Sequence, residues 1–298
     1  MSDFRLKVFR SVAKNLSFTK ASQELFVSQP AITKHIQELE AAYQTRLFDR
    51  QGSRISLTES GNLLLEHCER ILEDYKRLEY EMHLLHNEYT GGLKLGASTT
   101  IAQYVLPPLL ASFIGKFPQV SLSLLNGNSR EIEAALQEHR IDLGFVEGVF
   151  RLPNIRYTTF LEDELVAVVR TGSKLAVGEE ITPDELFHLP LVLRERGSGT
   201  LDVFERALQQ HNIKLSSLQV LMYLGSTESI KLFLEHTDCL GIVSVRSITR
   251  ELYSGQLRVV EIKGMPMLCD FSFAQPQGQE SGLAQVFMQF AMHNNHKL

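Results

Sequence analysis

Two arginines stand at the start of a short glycine-containing segment in the second half of the chain, where their side chains could bind a small anion. The segment runs Arg194-Glu195-Arg196-Gly197-Ser198-Gly199-Thr200. Guanidinium groups donate paired hydrogen bonds to carboxylate, sulfite, sulfate or phosphate, and the free amides at a helix N-terminus attract negative charge. The segment is therefore a candidate anion-binding site.

Other polar turns in this half of the chain could add hydrogen-bonding groups to the site. Each follows a predicted strand and opens a predicted helix, and ligands bind at such strand ends in open α/β sheets. N-capping explains each turn singly, but not the two adjacent arginines. The candidate ligand-binding residues are Ser98, Thr100, Asn128, Ser129, Glu147, Arg194, Arg196, Gly197, Ser198, Gly199, Thr200 and Thr227. Glu147 would repel an anion unless an arginine neutralises it, so the charge of the ligand stays open.

A second set of polar side chains lies near the N-terminus, on one face of a predicted helix. Gln29, Thr33 and Lys34 share this face, and amide, hydroxyl and cationic groups can bind the base edges and phosphates of DNA. Residues 1–57 carry nine Lys/Arg and five Asp/Glu, a net charge of +4, which leaves −9 for the rest of a chain with −5 overall. This asymmetry favours contact between the N-terminal segment and nucleic acid.

The sequence contains no recognisable catalytic or metal-binding pattern. The ten histidines lack paired-ligand spacing, Gly197-Ser198-Gly199 lacks the spacing of a nucleophile elbow, and no phosphate-binding loop motif occurs. We therefore expect no enzyme activity, no cofactor and no metal. Cys68, Cys239 and Cys269 are odd in number and far apart, which favours reduced thiols; a redox switch between the last two is the alternative.

The elements that would position the N-terminal polar face are three helices and a hairpin. Phe4 to Ala13 has helical apolar spacing, Ser17 or Thr19 can cap a second helix, and Ser28 followed by Pro30 fits the start of a third. A hairpin with its turn at Gly52 follows and forms a wing. Two short helices joined by a tight turn, followed by a wing, fit the major groove of DNA.

Residues 4–61 resemble the DNA-binding domain of LysR-type transcriptional regulators. The matching stretches are Phe9 to Ala13, Ser17-Phe18-Thr19-Lys20-Ala21-Ser22, Leu25, Val27-Ser28-Gln29-Pro30-Ala31-Ile32-Thr33, Ile36, Leu39-Glu40, Leu47-Phe48-Asp49-Arg50 and Leu57-Thr58-Glu59-Ser60-Gly61. Ser60 departs from the family, which usually has alanine there. The resemblance implies base and phosphate contacts from Ser28, Gln29, Pro30, Thr33, Lys34 and Arg54. Thr19 and Arg50 complete the candidate set, although Arg50 and Arg54 could instead be surface cations paired with Asp49.

The segment from Thr58 to Tyr89 predicts a long helix that pairs with a second copy. Apolar residues alternate spacings of four and three, and such a seam is typical of a coiled coil; packing against its own domain is the alternative. The candidate dimerisation residues are Leu64, Cys68, Ile71, Tyr75, Leu78, Met82 and Leu85. The family resemblance agrees, since its members dimerise through a linker helix. A tetramer is implied by the resemblance only.

Beyond Gly91-Gly92, which we expect to end the helix and act as a hinge, strands alternate with helices. This pattern predicts parallel sheets covered by helices, and it resembles the two-lobed periplasmic-binding-protein fold that LysR-type regulators use as an effector sensor. We expect a winged helix-turn-helix at residues 1–57, a linker helix at 58–90 and an effector domain at 91–298. Its first lobe would span about 91–162 and 267–298, and its second about 163–266.

The chain also resembles a narrower branch of the family that regulates inorganic sulfur and carbon-fixation genes. The first stretch that carries this resemblance combines Asn126 to Ser129 with Gly144 to Gly148, and the second is Leu193 to Thr200. We therefore expect sulfite, sulfate or another small anion to bind near Ser98, Thr100, Ser129, Arg196 and Thr200.

We expect a cytoplasmic protein, because the N-terminus lacks a signal peptide and no apolar run is long enough to span a membrane. We expect it to be a homo-oligomer that binds double-stranded promoter DNA, with RNA polymerase as a further partner. A transport-type solute-binding protein is disfavoured by the absence of a signal peptide and by the N-terminal DNA-binding segment. A DNA-binding dimer that ignores small molecules is the main competitor. The sequence does not decide between activation and repression.

Overall fold

The structure, a computed structural model, describes residues 4–51, 54–86, 89–175, 178–277 and 282–294. The chain divides into two compact units, Met1–Asn87 and Glu88–Leu298. No helix in the described ranges is both long and apolar enough to cross a membrane.

The N-terminal unit begins with three helices, α1 (Phe4–Asn15), α2 (Phe18–Glu24) and α3 (Gln29–Tyr43). The Ser17 side chain caps α2 by accepting a hydrogen bond from the amide of Lys20. Ser28 caps α3 in the same way, and Pro30 lies in its first turn. These caps satisfy amides that have no partner within the helix, and they set the tight turn between the two helices, as the sequence predicts.

A two-stranded hairpin follows α3 and forms the wing. Its strands β1 (Phe48–Gln51) and β2 (Arg54–Leu57) pair antiparallel, with Gln51 opposite Arg54. The predicted turn at Gly52 lies outside the described residues, and so do the side chains of Arg50 and Arg54.

A long helix, α4 (Glu59–His86), completes the N-terminal unit. Cys68 and Leu72 on its first half are fully buried in the core formed by the first three helices. The Cys68 thiol also donates a hydrogen bond to the carbonyl of Leu6 at 3.3 Å. Cys68 therefore belongs to the core of its own unit, which corrects its assignment to the dimerisation seam: a helix that packs on three others turns part of its apolar stripe inward.

The structure differs from the prediction at Tyr89 and at the two glycines that follow the predicted seam. Tyr89 lies beyond the helix, and its ring packs against Phe117 with centroids 5.6 Å apart. Gly91 and Gly92 belong to a strand and do not end the helix. The side chains of Met82 and Leu85 lie outside the described part of the structure.

The C-terminal unit alternates strands and helices. Its strands are β3 (Gly91–Ser98), β4 (Val120–Gly127), β5 (Leu143–Val146), β6 (Ile155–Arg170), β7 (Glu180–Ile181), β8 (Pro190–Arg194), β9 (Gln219–Leu224), β10 (Leu240–Ser244), β11 (Leu257–Ile262) and β12 (Met267–Pro276). Its α-helices are α5 (Leu106–Lys116), α6 (Ser129–Gln137), α7 (Gly199–Gln210), α8 (Thr227–His236), α9 (Thr249–Ser254) and α10 (Gly282–Asn294). A π-helical turn, Ile101–Val105, precedes α5.

The sheet order β4-β3-β5-β12-β6-β10-β8-β9 produces two lobes. In the first lobe β3 pairs parallel with β4 and β5, and in the second lobe β8 pairs parallel with β9 and β10. Strands β6 and β12 run antiparallel to each other and join the two halves. The carboxyl ends of the parallel strands in each lobe carry the polar turns, which is the arrangement predicted from the sequence.

The last helix, α10, packs against α5 and β5. Phe287 and Phe290 of α10 pack on Phe113 of α5, with ring centroids 4.8 and 5.2 Å apart. Phe145 of β5 and Phe273 of β12 extend the same aromatic core, with centroids 5.1 Å apart. This core fixes the end of β5, and the residue that follows β5 is Glu147.

Candidate functional site

Glu147 lies where the end of β5 meets the start of α7, and its side chain is buried. The Thr100 hydroxyl of the first lobe donates to its Oε1 at 3.2 Å, and the Thr200 hydroxyl of the second lobe donates to the same atom at 3.1 Å. Ser129 donates to the backbone oxygen of Glu147 at 2.8 Å. The Glu147 carboxyl group thus joins the two lobes.

The ionisation of Glu147 is shifted by its surroundings. Burial raises its pKa to about 7, Arg194 acts in the opposite direction, nearby Asp163 raises it, and the hydrogen bonds from Thr200 and Thr100 lower it. Near neutral pH much of the population is therefore protonated and uncharged. The repulsion of anions expected from the sequence is correspondingly reduced.

Arg194 is the second buried charge of the site, with only 2% of its surface exposed. Its Nε and Nη2 donate to the two carboxylate oxygens of Glu195 at 2.9 and 3.1 Å. Nη2 also donates to the Thr99 hydroxyl of the first lobe at 3.3 Å, and Nη1 donates to Thr227 of the second lobe at 3.4 Å. Arg194 therefore holds both lobes and supplies positive charge between them.

Two glycines permit this close approach of the lobes. A Cβ atom at Gly199 would lie 2.2 Å from the carbonyl oxygen of Glu147, which is far inside van der Waals contact. Gly148 has a φ of +111°, and a Cβ atom there would lie 3.0 Å from the Cα atom of Gly199. The loop after β5 can meet the N-terminus of α7 only because both residues lack side chains.

Three polar atoms of the predicted ligand-binding residues are buried and have no hydrogen-bond partner among the described residues. They are the hydroxyl oxygens of Ser98 and Ser198 and the Oε2 atom of Glu147. Leaving such a group unpaired costs about 1–3 kcal/mol. Together with the N-terminal amides of α7, these atoms could bind a small ligand that both donates and accepts hydrogen bonds.

The structure brings most of the predicted ligand-binding residues together, but it separates Arg196 from them. The Arg196 side chain is 68% exposed and pairs with Glu205 at 2.6 Å. Strand β8 ends at Arg194, so the two-residue alternation that would turn Arg196 inward no longer applies. Assigning Arg196 to the buried site is therefore corrected.

Asn128 and Gly197 have local structural roles near the site. The Asn128 side chain accepts from the amide of Glu131 at 3.0 Å, and Glu131 accepts from the amide of Asn128 at 2.8 Å. This reciprocal pair is the capping box of α6. Gly197 adopts a φ of +95° in the turn before α7, a conformation that side-chain-bearing residues rarely adopt.

Sequence reasoning missed two residues of the site, Thr99 and Glu195. Both adjoin residues that were identified, and both contact Arg194. The only available indication was their position next to Ser98 and Arg194, because nothing in the sequence shows which neighbour in a turn points inward.

No group of three or more His, Cys, Asp or Glu side chains in the described ranges is arranged to hold a metal ion. Cys68 and Cys239 are buried, and burial raises the pKa of each thiol to about 11. The Cys269 thiol is also buried, with its pKa raised chiefly by that burial. Thiols held in the protonated form react slowly, which favours the structural reading of the cysteines.

The candidate DNA-contact surface lies on the outer side of α3. Gln29, Pro30 and Lys34 are exposed there. Thr33 is half-buried, and its hydroxyl donates to the carbonyl of Gln29 at 3.1 Å. On the inner side Ile32, Ile36 and Leu39 are buried. The helix thus presents amide, hydroxyl and cationic groups outward, and their contact with DNA stays a prediction, as does that of exposed Thr19 and Ser28.

Comparison with known proteins agrees with this architecture. Residues 4–62 match the family model described as a bacterial regulatory helix-turn-helix protein, lysR family, and residues 86–295 match the LysR substrate binding domain. The regulator YeiE of Escherichia coli is 35% identical over 258 residues, covering 87% of this chain and 85% of YeiE. The RuBisCO operon transcriptional regulator of Acidithiobacillus ferrooxidans is 30% identical over 287 residues, covering 96% and 92%.

A solved structure gives a third comparison. The regulatory domain of CcmR from Synechocystis PCC6803, in complex with 2-PG, superposes with a TM-score of 0.62 at 27% identity. The match covers 68% of this chain and 97% of that domain.

Proposed function

The chain belongs to the LysR family of bacterial transcriptional regulators, and from this premise we propose that a small oxyanion bound between the lobes controls how its N-terminal unit acts on promoter DNA. The relative named for the RuBisCO operon belongs to the branch expected from the sequence. The observation that carries the proposal is the interlobe cluster of Arg194, Glu147 and two unpartnered serine hydroxyls.

The charges of the cluster support an anion of low charge, such as sulfite or sulfate. Buried Arg194 supplies a cation, and the N-terminus of α7 supplies amides and a partial positive charge. Protonated Glu147 would donate a hydrogen bond to the anion through its free oxygen, whereas ionised Glu147 would oppose it. The 2-PG molecule named for the CcmR domain makes a small anionic ligand a reasonable starting point.

The experiment is a thermal-shift panel on the whole protein with sulfite, sulfate, phosphate and 2-PG, and with chloride at matched ionic strength as the control. A ligand at one hundred times its dissociation constant stabilises the folded state by about 2.7 kcal/mol, which raises the Tm of a domain this size by roughly 5–10 °C. If no anion of the panel raises the Tm above the chloride control while operator binding is intact, the effector proposal is wrong. That result would favour a DNA-binding dimer that ignores small molecules.

DNA recognition makes a separate prediction. Gln29→Ala or Thr33→Ala should relax base selectivity by about 1–3 kcal/mol at one base pair. In contrast, Arg54→Ala should weaken binding to all sequences. It should also reduce the slope of log affinity against log salt concentration by roughly one, which corresponds to the loss of one phosphate contact. Fluorescence anisotropy on the DNA adjacent to the gene and on a scrambled duplex, at several salt concentrations, separates the two effects. Unchanged binding by all three variants would contradict the assigned surface.

Self-association is expected through the exposed apolar side of α4. Leu63, Ile71 and Leu78 are 60%, 40% and 52% exposed, and Tyr43 of α3 is 56% exposed. A cavity of about 420 Å³ lies between Tyr43, Leu63 and Ile71. A second copy of the same helix, with its own apolar seam, is the occupant that fits this groove.

Two recognition helices related by a two-fold axis would then read two half-sites. A dimer of such dimers would respond to the effector by changing DNA bend and polymerase recruitment.

A further inference from the structure

We propose that Tyr104 is a positioning residue that holds the two lobes together at the rim of the effector site by bonding to Glu228. Tyr104 lies in the π-helical turn before α5, in the first lobe. Glu228 lies in the first turn of α8, in the second lobe. We refer to Tyr104, Glu228, Lys231 and Glu251 as the clasp.

The contacts of the clasp reinforce one another. The Tyr104 hydroxyl donates a hydrogen bond to Oε1 of Glu228. Lys231 is buried and pairs with Glu228 and Glu251, each at 2.8 Å. Its ammonium group also lies 5.2 Å from the centre of the Tyr104 ring. The tyrosine is thus held by its hydroxyl and by its ring, and both contacts cross from one lobe to the other.

The ionisation states suit this bond at neutral pH. Burial opposes the charge on Glu228, but hydrogen bonds from Lys231 and Tyr104 lower its pKa overall, so it is a carboxylate acceptor. Burial and the neighbouring Glu228 raise the pKa of Tyr104, so its hydroxyl keeps the proton that it donates. A hydrogen bond to a charged group is among the stronger ones in proteins.

Both ends of the clasp adjoin effector-site residues along the chain. In the first lobe Thr100, which bonds Glu147, directly precedes the turn that holds Tyr104. In the second lobe Thr227, which bonds Arg194, directly precedes Glu228. A ligand that draws these threonines together would therefore also favour the Tyr104–Glu228 bond. The consequence for ligand binding rests on the proposed function, whereas the clasp itself does not.

The surroundings of the clasp leave room for the bond to open. A cavity of about 640 Å³ adjoins it, lined by both lobes and including Pro107, Pro108 and Arg250. Turns of π-helix occur frequently at functional sites. The bond, more than dense packing, therefore keeps the lobes together at this edge.

The test is hydrogen–deuterium exchange on the full-length protein without any added anion. Tyr104→Phe should speed exchange in α8 of the opposite lobe by roughly tenfold, and Glu228→Ala should do the same in the turn at 101–105, because each loses a charge-assisted hydrogen bond. The double variant should exchange no faster than Glu228→Ala, because that change already removes the Tyr104 bond together with the Lys231 pair. Tyr157→Phe is the matched control, because Tyr157 donates to Glu133 at 2.5 Å within the first lobe.

Each outcome decides the proposal. The proposal would be overturned by any one of three results. These are exchange of α8 at the wild-type rate in Tyr104→Phe, strictly additive effects in the double variant, or the same acceleration of α8 in Tyr157→Phe. The expected pattern supports it even if no anion of the thermal-shift panel binds. Where an anion does bind, Tyr104→Phe should weaken its apparent affinity by the factor by which the fraction of molecules with closed lobes falls.

Discussion

Arg194→Ala is expected to abolish stabilisation by anions and to lower the Tm of the C-terminal unit. The substitution removes a buried guanidinium that pairs with Glu195 and bonds Thr99 and Thr227. Breaking a buried ion pair costs about 3 kcal/mol, and a domain of this size loses roughly 2–4 °C in Tm per kcal/mol. The Tm should therefore fall by about 6–12 °C, measured by calorimetry with and without the best anion of the panel.

Arg196→Ala provides the matched control two residues away. Its side chain is largely exposed and pairs with Glu205 at the surface, and such pairs contribute between about 0 and 1 kcal/mol. We expect a change in Tm of no more than roughly 2–4 °C and unaltered stabilisation by anions. Loss of anion stabilisation in Arg196→Ala but not in Arg194→Ala would mean that the ligand binds outside the buried cluster.

Glu147→Gln is expected to flatten the dependence of stability on pH. The folded-state pKa of Glu147 is raised from 4.5 to about 7. Its contribution to stability is therefore fully present below about pH 4.5 and lost as pH rises through about 7, a change of about 3 kcal/mol. Glutamine keeps the neutral shape at every pH. Urea unfolding at pH 5 and pH 8 should show a smaller difference in the variant than in the wild type.

The same substitution should alter how anion binding depends on pH. Wild-type affinity should rise as pH falls from 8 to 6, because protonated Glu147 donates a hydrogen bond and repels no charge. Affinity of the glutamine variant should be nearly constant over this range for a fully ionised anion such as sulfate. Glu133→Gln is the control, since Glu133 is also buried with a raised pKa but bonds Tyr157. Equal pH slopes for wild type and Glu147→Gln would exclude Glu147 as the titrating group.

The fold and the outward face of α3 could be predicted because they depend on local patterns. Capping by Ser17 and Ser28 and the apolar spacing of Ile32, Ile36 and Leu39 act within a few residues, so the sequence displays them directly. The alternation of strands and helices predicted the parallel pairing of β3 with β4 and of β8 with β9, whereas the two-lobed arrangement was implied by the family resemblance. The caps and the inner face of α3 agree with the structure, whereas Gly91 and Gly92 fall in a strand and β6 and β12 pair antiparallel.

The interior of the site could be predicted only in outline. Arg194 and Arg196 are equivalent in sequence, yet the end of β8 turns one inward and the other toward Glu205. The ionisation of Glu147 depends on its burial and on hydrogen bonds from residues more than forty positions away, such as Thr100 and Thr200. Such effects come from tertiary packing, which spacing along the chain does not encode.

The heptad seam shows how one pattern can serve two interfaces. Spacing alone assigned all seven residues to a partner helix, but Cys68 and neighbouring Leu72 face inward, whereas Ile71 and Leu78 are exposed. A helix has several faces, and the width of the apolar stripe does not say which part meets the chain's own core.

The burial of Cys68 and Leu72 also determines how long an N-terminal fragment must be to keep its hydrophobic core. A fragment ending at Leu57, after the hairpin, would encode the recognition helix but not the two side chains that close the core beneath α1. A fragment extended to His86 includes them. If α3 binds DNA and α4 pairs with a second copy, as we propose, the smallest fragment that folds carries both surfaces, so recombination between such regulators would exchange DNA specificity and choice of partner together.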